Sequence, residues 1–244
     1  MKVDFTLGDT QVSAIVHQNQ SGWPTMLNVH EDEQTSVKAG KASVQQHGGR
    51  LIELSHTGVR LITFSLDKQM FAFDPNRIFS DGGIVATLNK HSTYSEAAHM
   101  EIKSFAIQYV KRFSLEKEPV IIALHNTIDG IFSVESFVPG AELGAEAAAV
   151  HVDRDRSKFD FFYVTERRFH DYLKARKFNV VLQDNEQATD DGSLSVYFAQ
   201  RKIPYINIEA EMNHLDNQIE MVQAAREMLK ELAIGGRSQH GCGT

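Results

Sequence analysis

Three residues able to bind a cation or move a proton stand just beyond apolar runs in this chain. His30 follows Met26–Val29, His125 follows Val120–Leu124, and Glu209 follows Tyr205–Ile208. In open α/β sheets, ligands bind outside the carboxyl ends of the strands, so three such residues at three strand ends form one coherent candidate site. His30 opens the stretch His-Glu-Asp-Glu, which places Glu33 at H-x-x-E spacing. That spacing lets a nitrogen and a carboxylate converge on one cation where a strand turns into a helix. Zinc accepts such a mixed set, and three protein ligands leave a position open for water. Glu31 and Asp32 are alternatives to Glu33, or could orient His30 from behind. The competing structural explanation is an acidic helix start, where carboxylates favour the helix dipole. For His125 it is a hydrogen-bonded histidine at the rim of the sheet.

The segment Phe73-Asp-Pro-Asn-Arg-Ile-Phe79 carries a second kind of chemistry. Pro75 pushes Asp74 toward extended geometry. Asn76 and Arg77 then offer an amide and a planar fork to a substrate carboxylate. The alternative is a turn in which Arg77 pairs with Asp74. Arg60, on a stretch from Arg60 to Phe64 that reads as a strand, is a further candidate cation.

Elements able to position these groups follow from periodicity. Phe5–Leu7 and Val12–Val16 read as paired strands. Residues 33–47 read as a helix stopped at Gly48-Gly49. Further strands are expected at Leu51–Leu54, Arg60–Phe64, Met70–Phe73, Asp160–Val164, Phe178–Leu182 and Ile203–Ile208. Helices are expected at Tyr94–Phe113, Glu166–Arg176, Ser193–Arg201 and Leu215–Leu232. The run from Pro119 to Leu124 has the length and β-branched content of a strand buried on both faces. Alternating strands and helices predict an α/β domain over residues 1–234, with a central mixed, mostly parallel twisted sheet flanked by helices. Residues 235–244, including the lone Cys242, read as a flexible tail. Gln183–Gly192 is polar and acidic, either a surface loop or a lid. His47, His56, His91, His99, His151, His170 and His214 read as surface groups.

Composition narrows the function classes. The chain has 244 residues, of which 42% are hydrophobic, enough for a substantial core. Its net charge of −7 and scattered Lys and Arg leave no basic stripe to meet nucleic-acid phosphates. No apolar run approaches the about 20 residues that span a bilayer. No signal peptide is visible at the start, and one cysteine allows no intrachain disulfide, so a cytoplasmic and a periplasmic location are both compatible. Nothing in the residues fixes an oligomeric state.

HEDE, FDPNRIF, IIALHN and GSLSVYFAQRKIPYINIEAE, in that order and spacing, resemble the zinc carboxypeptidase superfamily. That superfamily includes the metallocarboxypeptidases and the deacylases related to succinylglutamate desuccinylase and aspartoacylase. The resemblance spans about residues 25 to 212. It implies one zinc ion on His30, Glu33 and His125, and a zinc carboxypeptidase-like fold. It implies a catalytic glutamate at Glu209, with Glu211 as the competing position, and an oxyanion-stabilising arginine at Arg60. Asn76 and Arg77 would bind the substrate's carboxylate. The implied activity is amide hydrolysis on a small peptide or an N-acyl amino acid, and a catalytically lapsed zinc-binding domain is the third possibility. Lys202 stands where the family usually has glycine, and neither Tyr197 nor Tyr205 matches its substrate-binding tyrosine.

Overall fold

The apolar run at Val120–Leu124 is wholly buried because it is covered twice. Ile121 and Ala123 point into one core, shared with Leu27, Leu194, Phe198 and Tyr205. Val120, Ile122 and Leu124 point into the other, shared with Phe162, Phe169, Ile206 and Met228. Period-two alternation in a strand apolar at every position therefore requires a layer on each face.

The computed structural model describes residues 1–20, 22–127 and 132–235. The first half holds β1 (Lys2–Leu7), β2 (Thr10–Asn19), β3 (Thr25–Asn28), α1 (Gln34–His47), β4 (Gly49–Ser55), and a separate hairpin of β5 (Ile62–Leu66) and β6 (Gln69–Phe73). Next come α2 (Asp81–His91), α3 (Glu96–Phe113) and β7 (Ile121–Thr127). The remainder holds β8 (Ala147–His151), β9 (Phe161–Val164), α4 (Arg167–Ala175), β10 (Asn179–Gln183), α5 (Leu194–Gln200), β11 (Tyr205–Glu211) and α6 (Leu215–Glu231).

Nine strands form one mixed sheet in the order β1-β2-β4-β3-β7-β11-β9-β10-β8. Its centre, β4-β3-β7-β11, is parallel throughout. β9 and β10 are also parallel to each other, while β9 runs antiparallel to β11, and antiparallel pairs form both edges. The expected α/β architecture with a mixed sheet is thus what the chain adopts.

Most expected elements occur within a few residues of their predicted bounds. Gly48 and Gly49 end α1 with φ of 74° and 103°, values that an L side chain rarely tolerates. Two elements escape periodicity. β8 is an edge strand of small, half-exposed residues. α2 carries two glycines near its start and forms because Ser80 caps it and Ile84 and Leu88 are buried. Arg60 is not on a strand: it lies in the bend before β5. His99 and His170 are buried rather than on the surface. The Gln183–Gly192 segment is pinned: Thr189 donates to Glu146 through both its amide and hydroxyl, and Asp184 N donates to Glu146 O. Those bonds favour a fixed surface loop over a lid. The tail reading falls mainly on residues 236–244, which lie outside the described residues. No helix among the described residues is long and apolar enough to cross a membrane.

Gly40, in the middle of α1, lets the helix settle on β4 and β7. A Cβ there would meet Leu124 Cδ1 at 2.9 Å and Leu51 Cδ2 at 3.0 Å. Gly40→Val is expected to cost about 1–3 kcal/mol by overpacking. That corresponds to a melting temperature lower by roughly 2–12 °C, measured by thermal unfolding.

Candidate metal centre

Parallel pairing of β3 with β7 brings two distant histidines together. Leu27 faces Ala123 across this ladder, and the chain beyond each strand leads to His30 and His125. After β3, a tight turn returns the chain into α1: Glu33 N donates to His30 O, and Ser36 Oγ donates to Glu33 O. Glu33 is the residue that caps α1, and its side chain is released inward.

The result is a triangle of donors. His30 Nδ1 lies 2.9 Å from Glu33 Oε1 and 3.1 Å from His125 Nδ1, and His125 Nδ1 lies 3.0 Å from Glu33 Oε2. All three residues are almost completely buried. This is the one group of three potential metal-ligating side chains converging within 4.8 Å among the described residues.

The donor set fits a metal ion on two counts. His30 Nε2 lies 2.8 Å from Asp74 Oδ1, and a carboxylate only accepts, so Nε2 carries the hydrogen and Nδ1 is the free ligand nitrogen. Ligands at tetrahedral zinc, with bonds of about 2.0–2.1 Å, sit about 3.3 Å apart, only a few tenths of an ångström beyond the separations here.

Several bonds hold the triangle in place. Asp74 Oδ2 accepts from Arg60 Nε at 3.2 Å, and Arg60 Nη1 donates to Glu33 Oε1 at 2.7 Å. Arg60 thus clamps Glu33 and the carboxylate behind His30. Asn126 accepts from Ser36 N and donates to Gln218 Oε1, and Gln218 donates to the carbonyl of His125. Asn28 donates to Ser36 Oγ and to the Leu124 carbonyl. Glu31 is engaged elsewhere, accepting from Ser55 Oγ, His56 N and Gly58 N, and so fixes the loop leading to Arg60.

Glu209 joins the cluster from β11, where it stands directly opposite His125. It is buried and accepts from Asn207 Nδ2 at 3.0 Å. Glu211 lies two pairs further on, its side chain beside His214 at 3.5 Å and its amide donating to Asp160. Asn76 and Arg77 sit in the short turn after Asp74. Asn76 Oδ1 accepts from Leu194 N, and Arg77 pairs with Asp191 at 3.4 Å rather than with Asp74. The Arg77 carbonyl is wedged between Gly83 and Gly192, where any Cβ would come within 2.8 Å of it. Tyr197 donates to Glu116 at the surface, whereas Tyr205 is buried on the strand of Glu209.

All seven candidate residues therefore lie on two contiguous pieces of structure. His30, Glu33, His125 and Arg60 are linked by direct contacts, Glu209 stands in register beside His125, and Asn76 and Arg77 follow Asp74 in the chain. Sequence reasoning missed Asp74 as the partner of His30. Its only signal was a buried-strand carboxylate held extended by the following proline, at φ −83° and ψ 120°.

Burial alone would discharge the site, and its mutual contacts resist that. Burial disfavours charged His30, but Glu33 and Asp74 outweigh it and raise its pKa to about 9. Burial would lift the Glu33 and Asp74 carboxyls, yet the histidines, with Arg60 beside Asp74, hold both well below the usual carboxylate range. Glu209 goes the other way: burial raises it, and the charge of Glu33 adds to the effect against the opposing pull of His125.

Two outcomes follow. His125→Ala should lower the metal content of purified protein well below that of the wild type; full retention would remove His125 from the ligand set. In chelator-treated protein, His30 has a folded pKa of about 9 against about 6.5 unfolded, so its stabilising contribution is complete below pH 6.5. That contribution, at most about 3 kcal/mol, should fade as pH rises from 6.5 to 9, and His30→Asn should flatten the loss in a melting-temperature series.

No family model matches the chain, and no curated protein matches it. Solved structures do resemble it. A proposed metallopeptidase from Shewanella baltica OS155 is 13% identical with a TM-score of 0.48, over 95% of this chain and 86% of that one. The tripeptide-bound cell shape determinant Csd4 from Helicobacter pylori is 10% identical with a TM-score of 0.44, over 91% of this chain and 56% of that one. A protein proposed for the succinylglutamate desuccinylase/aspartoacylase family, from Shewanella amazonensis SB2B, is 8% identical with a TM-score of 0.39, over 96% and 73%.

Proposed function

We propose that this chain is a zinc-dependent hydrolase that cleaves an amide bond in a substrate bearing a free carboxylate, as a carboxypeptidase-like peptidase. The observation that carries the reading is the closure of His30, Glu33 and His125 into one buried triangle, with Glu209 in cross-strand register beside it.

A zinc ion on those three ligands would supply Lewis acidity, activating a water near neutral pH and polarising a carbonyl. The chain's own groups supply the rest. Glu209, lifted by burial, is suited to take a proton from the attacking water and return it to the leaving amine. Arg60 keeps a guanidinium beside the triangle, fixed by Glu33 and Asp74, where positive charge favours an oxyanion developing on the amide carbonyl. Arg77 and Asn76, locked against Gly83, Gly192 and Leu194, would hold the substrate's carboxylate at a set distance from the reacting bond. Asp74 holds the His30 ring in one tautomer.

The same residues would serve a deacylase acting on N-acyl amino acids. Turnover of a panel of short peptides against N-acyl amino acids separates the two, and stoichiometric zinc without turnover on any member would favour a binding domain. Glu209→Gln is expected to keep the metal and lower kcat by about 10²–10⁴-fold on whichever substrate is cleaved. Wild-type rates in that variant would remove Glu209 as the base.

A further inference from the structure

α3 runs for 18 residues, a length of about 27 Å, with Ala98, Ile102, Phe105 and Tyr109 buried on its inner side. Its outer side departs from an ordinary solvated surface. Met100 is 55% exposed and Ile107 57%, and with Tyr94 just before the helix they are half of the six large hydrophobic side chains exposed among the described residues. At 3.6 residues per turn, Glu96, Met100, Ile107 and Lys111 share one stripe about 60° wide, nearly opposite the buried side. The stripe is symmetric about its middle: Glu96 stands four residues before Met100, and Lys111 four after Ile107.

Beside this stripe lies a groove of ≈ 250 Å³, lined by Phe79, Ile84, Ala106, Ile107, Val110 and Tyr197 among others. The cations in its lining are already paired: Lys103 Nζ is 2.8 Å from Asp81, and Arg201 Nε is 2.7 Å from Glu116. The groove therefore suits an apolar side chain, and the stripe itself supplies one. A two-fold axis between Lys103 and Ser104 lays a second α3 antiparallel on the first. Met100 of one protomer then meets Ile107 of its partner, and Glu96 meets Lys111. Methionine is unbranched and flexible, so it fills an irregular gap of this kind. Lys111 has no acidic partner among the described residues, and the Glu96 carboxylate accepts only from the Tyr94 hydroxyl, at 2.6 Å. Each contact occurs twice, as a self-complementary two-fold interface requires. Both the shape and the charge of the stripe are thus matched by its own reversed copy, which commits the occupant to a second copy of this chain.

We propose that α3 is the interface of a two-fold symmetric homodimer, in which Met100 of each protomer enters the groove beside Ile107 of the other and Glu96 pairs with Lys111 across the axis. Lys103, close to the axis, is held back by Asp81, so the two copies of it do not oppose each other as free charges. One helix and one shallow groove make a small contact, and an interface of that size gives a weak, reversible association.

The test is sedimentation equilibrium of the full chain from roughly 1 to 200 µM, a range that brackets micromolar affinity. The average mass should rise from that of one chain toward that of two. Ile107→Lys and Met100→Lys should each hold the protein as a single chain throughout, with an unchanged melting temperature because both side chains are exposed. Glu96→Lys and Lys111→Glu should each weaken association about ten-fold, since each sets like charges opposite one another at two places. Combined in one chain, the two changes trade the charges and should restore association to within about three-fold of the wild type. A single chain at every concentration, association that survives Ile107→Lys, or a double variant no tighter than the single ones would overturn the proposal. None of these measurements involves metal or turnover, so the hydrolase reading stands or falls separately.

Discussion

Two imidazole nitrogens and a carboxylate, all buried, face one another at about 3 Å. Such a grouping is stable only with a cation among its members, because the acceptors otherwise repel and burial removes the water that would screen them. A proton on His30 meets this requirement, and so would a divalent ion. The rest of the local structure is arranged around that need. Asp74 orients one ring, Arg60 balances the two carboxylates, and the Asn126–Gln218 pair fixes the backbone that carries the other ring.

The parallel centre of the sheet is what makes such a meeting possible between residues 95 positions apart. β3, β7 and β11 all end on the same edge, so a residue just past each strand reaches the same region without a long loop. The two faces then divide the labour. One buries α1, α4 and α6 against Val120, Ile122 and Leu124. The other carries α3 and α5 over part of its length and leaves Asn207 and Glu209 on the strip between the two cores of that face.

Much of this was legible in the order of residues. Apolar strands ending in His30, His125 and Glu209, and a helix beginning just after Glu33, were visible because each depends on neighbours a few positions away. The pairing of His30 with Asp74 was not, since it links residues 44 apart through the folding of a hairpin. Periodicity placed Arg60 on a strand, whereas the bend before β5 is what lets its guanidinium reach both Glu33 and Asp74. The histidines on α3 and α4 misled for a related reason: polar sequence neighbours lie on other faces of a helix, so they say little about whether His99 or His170 faces the core. β8 and α2 lacked an apolar pattern strong enough to stand out, and they form by packing against elements already in place.

The cross-strand register of β7 and β11 has a consequence for how this chain can vary. His125 and Glu209 share a side of the sheet because they pair with each other and each stands two positions along its strand from a neighbour on that side, Ala123 and Asn207. Loss or gain of one residue inside either strand would turn the imidazole or the carboxylate toward the helices on the opposite side, with no conservative substitution able to restore it. Lineages of this protein should therefore accumulate length differences in the connections and almost none between positions 121 and 127 or 205 and 211.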